Sequence, residues 1–130
     1  MAVKCIEVSF ANLYHLLQEI FTLFQVKSEH AVWIVGVTVA ESKLSSGKVS
    51  VWIVMERLQQ TMVTALKGEE GVMQVKKLAH LLEVLKGIIS LHSHNVFQIS
   101  MKPENIMMDK DGGVKLVSLG VRNYIFIYLK

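Results

Sequence analysis

Residues 98–117, QISMKPENIMMDKDGGVKLV, restrict the fold more than any other stretch of the chain. Two short apolar runs, 106–108 and 114–117, flank a polar segment, 109–113, that ends in two glycines. A polar, glycine-ending turn between two apolar runs is typical of a β-hairpin. The sequence therefore predicts a small hairpin directly after Lys-Pro-Glu-Asn at 102–105.

A long apolar stripe precedes this hairpin and follows a charged break at 68–71. Its members recur every three or four residues and are Val75, Leu78, Leu81, Leu82, Leu85, Ile88, Ile89 and His92. This spacing predicts an amphipathic helix with a wide apolar face. We expect this helix to lie in the core.

The first third of the chain predicts one short apolar run and one helix. Residues 2–8 form the run, and Ser9 then offers an N-cap for a segment with apolar positions at helical spacing between Phe10 and Phe24. Further along, 32–39 and 49–55 are rich in β-branched and aromatic residues and are joined by a polar connection. This pattern favours two antiparallel strands.

Composition limits the class of protein. The chain has 130 residues, of which 52% are hydrophobic and 19% charged, so we expect one folding unit covering 1–130 and no disordered chain. The net charge of +3 comes from dispersed basic residues without interleaved aromatics, which argues against nucleic acid as a partner.

The cysteine content and the length of the apolar runs indicate the cellular compartment. Cys5 is the only cysteine, which excludes an internal disulfide and fits a reducing compartment. No apolar run reaches the ~18 residues of a spanning helix, and the first residues lack the pattern of a signal peptide. We expect a cytoplasmic chain that does not bind membranes.

The order of elements and motifs resembles a protein kinase catalytic domain of the serine/threonine type. Residues 98–105 align with His-Arg-Asp-Leu-Lys-Pro-Glu-Asn, Ser118-Leu119-Gly120 with Asp-Phe-Gly, and Ala2-Val3-Lys4 with the end of the Val-Ala-Ile-Lys strand. The resemblance covers nearly all of 2–122. It implies a partial bilobal α+β fold, with small-lobe strands 3–5 and one helix in 1–57 and the beginning of the large lobe in 58–130.

The resemblance also implies a nucleotide-binding set. Lys4 stands where the family lysine contacts phosphates, and Glu19 matches the helix glutamate that pairs with that lysine. The adenine-facing positions correspond to Met55, Glu56, Leu58 and Met107. An ordinary interpretation of Lys4 and Glu19 is a surface lysine and a helix carboxylate.

Both aspartates on which phosphoryl transfer depends are replaced. Ser100 occupies the position of the catalytic base, and Ser118 that of the aspartate that holds magnesium, while Lys102 and Asn105 match the family. A general base contributes about 100- to 10,000-fold in rate, so we expect an inactive, pseudokinase-like chain. Asn105 is the only metal-ligand position retained, and Lys102 and Asn105 also fit a plain turn around Pro103.

We therefore expect no functional cofactor, and vestigial ATP and magnesium binding is the alternative. The chain aligns with about half of a complete kinase domain, which predicts a fragment or a chain that needs a partner. The strand around Lys4 should then be an exposed edge open to self-association, and the long helix should lack partner helices. A protein-binding scaffold or decoy is the preferred function. The alternatives are a divergent ATP-binding serine/threonine kinase seen as an incomplete sequence and a small α+β interaction module that resembles kinases by chance.

Overall fold

A computed structural model of the chain describes residues 1–43, 46–67, 74–97, 101–117 and 125–128, without the side chains of Gln74 and of 125–128. The chain divides into two compact units. Unit 1 consists of Met1–Gln25, Trp33–Arg57 and Leu119–Lys130, and unit 2 of Val26–Val32 and Leu58–Ser118.

The described secondary structure is α+β, as the sequence predicts. In chain order the elements are β1 Ala2–Ser9, α1 Phe10–Gln25, β2 Ile34–Glu41, β3 Lys48–Met55, β4 Gln60–Thr61, α2 Met62–Lys67, α3 Gln74–Ser93, a 3-10 helix Pro103–Asn105, β5 Ile106–Met108, β6 Val114–Leu116 and β7 Ile125–Tyr128. The predicted helices α1 and α3 and the hairpins β2-β3 and β5-β6 are confirmed. The elements β4 and α2 were missed because they are too short for a hydrophobic period to show.

Unit 1 is an antiparallel sheet in the order β2-β3-β1-β7 with α1 on one face. Alternate residues of β1 are buried, starting at Ala2 and Lys4, as the two-residue period of a strand requires. Helix α1 buries Leu16, Ile20 and Leu23, which lie three or four residues apart on one helix face. The core of unit 1 lies between this helix face and the sheet.

The prediction that the strand around Lys4 is an exposed edge is wrong. Strand β7 pairs antiparallel with Ala2–Cys5, and Lys4 lies opposite Phe126. The segment Ile-Phe-Ile-Tyr at 125–128 consists of β-branched and aromatic residues that favour strands, and it occupies the edge that we expected to be free. The edge strand on the other side of the sheet is β2.

Unit 2 contains the three-stranded sheet β4-β5-β6, against which α3 packs through β6. The segment Val26–Val32 joins this sheet by backbone hydrogen bonds: Leu116 N–H donates to the His30 carbonyl (2.8 Å) and Val32 N–H donates to the Leu116 carbonyl (3.1 Å). His30 is buried, and its two ring nitrogens each lie 3.4 Å from a carboxylate oxygen, of Glu29 and of Glu83. This histidine fixes the segment that follows α1 onto α3.

Helix α3 is a core helix on one face only. Val84 and Leu91 are buried, and Gly87 lies against Leu116. The opposite side exposes six large apolar residues, Val75, Leu78, Leu81, Leu82, Leu85 and Ile89. The predicted core helix is therefore buried on this one face, and its other face is exposed in the described part of the chain.

Among the described residues, no helix combines the length and the apolar character that a membrane span needs.

Gly87 is required where α3 crosses β6. A Cβ atom at this position would lie 2.9 Å from Leu116 Cδ1 and 3.1 Å from His30 Cβ, both below ordinary contact distance. Overpacking of this kind costs about 1–3 kcal/mol, so Gly87→Val should lower the free energy of unfolding by that amount. Ala79→Val, at an exposed position of the same helix, should cost about 0.5 kcal/mol. Urea unfolding of both variants tests this, and equal losses would contradict it.

Candidate functional site

Lys4 is the most unusual side chain of unit 1. It lies on the inward face of β1, opposite Ile53 of β3, and only 1% of its surface is exposed. Burial lowers the pKa of the Lys4 ammonium to about 7, and the negative charge of Glu19 partly opposes this shift. Near neutral pH both the charged and the neutral amine are therefore populated.

The position of Glu19 follows from the period of α1. One face of α1 packs towards the sheet and carries Leu16, Ile20 and Leu23. Glu19 lies half-buried at the border of that face. Its carboxylate is close enough to Lys4 to act on the pKa of the amine. The two residues that the resemblance pairs therefore interact electrostatically in unit 1.

Met55 and Glu56 end the same sheet. Met55 is buried, with 2% of its surface exposed. Glu56 is tied to Trp33 twice, because its backbone N–H donates to the Trp33 carbonyl (3.0 Å) and its carboxylate accepts from Trp33 N–H (2.7 Å). These bonds fix the end of β3 against the residue that precedes β2, which gives Glu56 a structural part in the sheet.

The remaining predicted residues lie in unit 2. Leu58 and Met107 are buried, whereas Lys102 is exposed. Asn105 closes the 3-10 helix: its N–H donates to the Lys102 carbonyl (2.9 Å), and its own carbonyl accepts from Val117 N–H (2.8 Å). The backbone between Lys102 and Asn105 thus forms the turn that the sequence also allowed for these two residues.

Of the two positions at which the resemblance places magnesium ligands, only Asn105 lies within the described residues, and its side chain would contribute a single neutral oxygen. Magnesium is usually held by one or two carboxylates together with substrate phosphates and water. Across the described ranges, no three His, Cys, Asp or Glu side chains come together as metal ligands. The positions Ser100 and Ser118 lie outside the described residues.

A polar cavity of about 680 Å³ lies beside the β5-β6 turn of unit 2 and was missed by sequence reasoning. Its walls carry both signs of charge, including Lys76, Lys110 and Asp111. Asp109 belongs to the turn itself, since its carboxylate accepts from the N–H groups of Asp111 (2.9 Å) and Gly113 (2.8 Å). Because positive and negative side chains both line this cavity, its charge indicates neither an anionic nor a cationic ligand.

His30 was also missed. Its contact with Glu83 of α3 joins residues more than fifty positions apart, so no local period or motif indicates it. A His directly before the apolar run 31–35 is the only available signal, and it is a weak one.

Comparison with known proteins agrees with this arrangement. The model of the protein kinase domain family matches residues 1–125. Human receptor-interacting serine/threonine-protein kinase 1 is 30% identical over 122 residues, which are 93% of this chain and 16% of the human protein. The dual serine/threonine and tyrosine protein kinases of Danio rerio and Bos taurus are each 31% identical over 94 residues, 72% of this chain and 10% of those proteins.

This chain therefore spans only a small part of the curated relatives that it matches, 16% of the first and 10% of the other two. The family match extends from the Lys4 strand through the Lys-Pro-Glu-Asn turn and the β5-β6 hairpin. These are the elements that carry the geometry above, and the chain accordingly belongs to the protein kinase domain family.

Proposed function

We propose that this chain is a catalytically inactive, protein-kinase-like polypeptide that binds another protein as a scaffold or decoy. The observation that carries the proposal is the exposed apolar surface, which on α3 alone comprises six large side chains. Monomeric proteins seldom expose contiguous apolar patches of this size without a partner to cover them.

The proposed inactivity rests on residue chemistry. Ser100 and Ser118 stand where the family uses carboxylates. A serine hydroxyl does not accept a substrate proton near neutral pH, and it does not neutralise magnesium as a carboxylate does. A cytoplasmic location is proposed on the single cysteine, Cys5, alone.

One observation supports the alternative, a divergent ATP-binding kinase seen as an incomplete sequence. Burial lowers the pKa of the Lys4 amine to about 7, and the charge of Glu19 opposes only part of this shift. A phosphate group near Lys4 would add negative charge and would favour the ammonium form. Nucleotide binding without transfer is therefore a distinct outcome for experiment.

A thermal-shift titration with ATP, with and without magnesium, tests the proposal. A ligand that binds only the folded state raises stability by about 2.7 kcal/mol at 100 times its Kd, so binding is easily seen. We expect no magnesium-dependent shift in a sample that melts cooperatively. A magnesium-dependent shift would contradict the proposal. A shift that does not need magnesium, and that Lys4→Met abolishes, would favour the nucleotide-binding alternative.

A further inference from the structure

The outer edge of β2 combines an open strand edge with exposed apolar side chains. Strand β2 is the terminal strand of the sheet, and its pairing along Ile34–Glu41 is with β3 only, within the described part of the chain. Val37 and Val39 remain 38% and 43% exposed there. Natural proteins usually protect such edges with lysine, proline or a covering element. Strand β2 contains neither lysine nor proline, and its register shift lies at its beginning, between Ile34 and Gly36, so the edge from Val37 to Glu41 pairs regularly with β3.

A groove continues this edge onto helix α1. A cavity of about 230 Å³ separates α1 from β2, and its walls are almost entirely apolar: Leu17, Ile20, Phe21, Phe24 and residues 35–37. Phe21 and Phe24 are 65% and 51% exposed at its rim. A partner that pairs with the β2 edge would thus meet an apolar groove directly beside the new strand.

We propose that the occupant of this surface is a second copy of the chain, with the two β2 strands paired antiparallel across a two-fold axis. The pairing would join the two sheets of unit 1 into one and would bring the two α1-β2 grooves onto the same face. This inference goes beyond the proposed function, because it concerns the β2 edge of unit 1 and not the exposed face of α3.

The sequence of β2 favours its own copy as the partner. Five of the eight residues 34–41, IVGVTVAE, are β-branched, so antiparallel pairing of two copies would place β-branched side chains beside one another, as favourable cross-strand pairs do. The single charge, Glu41, lies at one end of the strand. Antiparallel pairing around a two-fold axis places the two Glu41 carboxylates at opposite ends of the strand pair, so like charges do not meet.

The available area suits a small dimer interface. An aromatic side chain carries roughly 150–250 Å², so the exposed parts of Phe21, Phe24 and the valines of β2 offer on the order of 400 Å². The valines counted are Val35, Val37 and Val39. A standard interface buries ~800 Å² per partner, and the paired backbone edges would add to the side-chain area, so this interface lies at the small end of the range.

The first test is the oligomeric state of the whole 130-residue chain, measured by sedimentation velocity over a range of concentrations. We expect a dimer whose dissociation constant rises more than tenfold in the double variant Val37→Lys/Val39→Lys. The matched control, Leu82→Lys/Leu85→Lys, places the same charges on the exposed face of α3 and should leave the dimer intact. A monomeric chain overturns the proposal, as does a dimer that only the α3 variant dissociates.

Cysteine cross-linking keeps the proposal testable if the lysine variants fail to fold. In a Cys5→Ser background, single cysteines are placed along 34–41 and the variants are mixed in pairs under mild oxidation. Antiparallel two-fold pairing requires that the cross-linked positions have a constant sum, because each step forward on one strand is a step back on the other. Cross-links without a constant sum, or their absence, overturn the pairing.

Failure of this inference and failure of the proposed function are distinguishable. A monomer that shows no magnesium-dependent ATP shift would overturn the β2 pairing and leave binding of another protein in place. A dimer that shows such a shift would support the pairing and contradict the inactive, protein-binding proposal.

Discussion

The free energy of unfolding is expected to rise as the pH increases from about 7 towards 10, and Lys4→Met should remove this rise. Burial lowers the pKa of Lys4 from its ordinary value of 10.5 to about 7 in the folded chain. Between these two values the unfolded chain holds a proton that the folded chain has released. Stability therefore increases with pH through this window, and the full cost of the buried charge is present below pH 7.

The expected size of the effect is several kcal/mol, because each unit of pKa difference corresponds to ~1.4 kcal/mol. Lys4→Met should accordingly be more stable than the native chain at pH 6, since methionine fills a similar apolar space without charge. Urea unfolding at pH 6, 8 and 10 measures both quantities. The control is Lys48→Met, which exchanges an exposed lysine of β3 and should leave the pH profile unchanged. A native chain with flat stability across these pH values would contradict the prediction.

Ile53→Ala should destabilise the chain by about 2–5 kcal/mol, the range typical of large-to-small changes in a core. Ile53 is fully buried in β3, where it lies between Lys4 of β1 and Val37 of β2. The cavity left beside Lys4 should also admit water, which would raise the pKa of the amine towards its ordinary value. We therefore expect the pH dependence of stability to shrink in this variant.

The control is Val75→Ala on helix α3, outside the proposed pairing surface. Val75 is 65% exposed, so the loss of its methyl groups should cost less than ~0.5 kcal/mol and leave the pH profile as it is. Equal losses in the two variants would mean that the sheet is not packed against α1 as described. A destabilised Ile53→Ala variant that kept the full pH dependence would show that Ile53 does not shield Lys4 from water.

Both predictions depend on the same feature of unit 1, a buried lysine whose pKa is lowered by burial more than it is raised by Glu19. In the described geometry, the lysine and glutamate of the family pattern are held by strand β1 and helix α1, and burial is the larger influence on the lysine. The same α1 presents its other face, with Phe21 and Phe24, to the groove beside β2. The proposed pairing surface and the Lys4 site therefore share a helix, and variants of one can be checked for effects on the other.

The sequence by itself determined the local elements of this protein. The spacing of apolar residues predicted α1 and α3, and β-branched runs predicted β2 and β3, because these periods are set by the backbone geometry of a helix or a strand. The polar, glycine-ending turn predicted the β5-β6 hairpin for a similarly local reason. The ordered motifs also indicated the kinase domain family, which the comparisons confirmed.

Only the tertiary structure decided which strand edges are paired and which side chains are buried. Strand β7 covers the Lys4 edge, and β2 is left as the edge strand, although both have strand-forming sequences. Helix α3 leaves much of its apolar stripe exposed, and His30 is buried between two carboxylates. Strand pairing and burial depend on residues that are distant in the chain, whereas the spacing of apolar residues indicates only the local conformation. The low pKa of Lys4 has the same origin, because desolvation is a property of the surrounding elements and not of the residue.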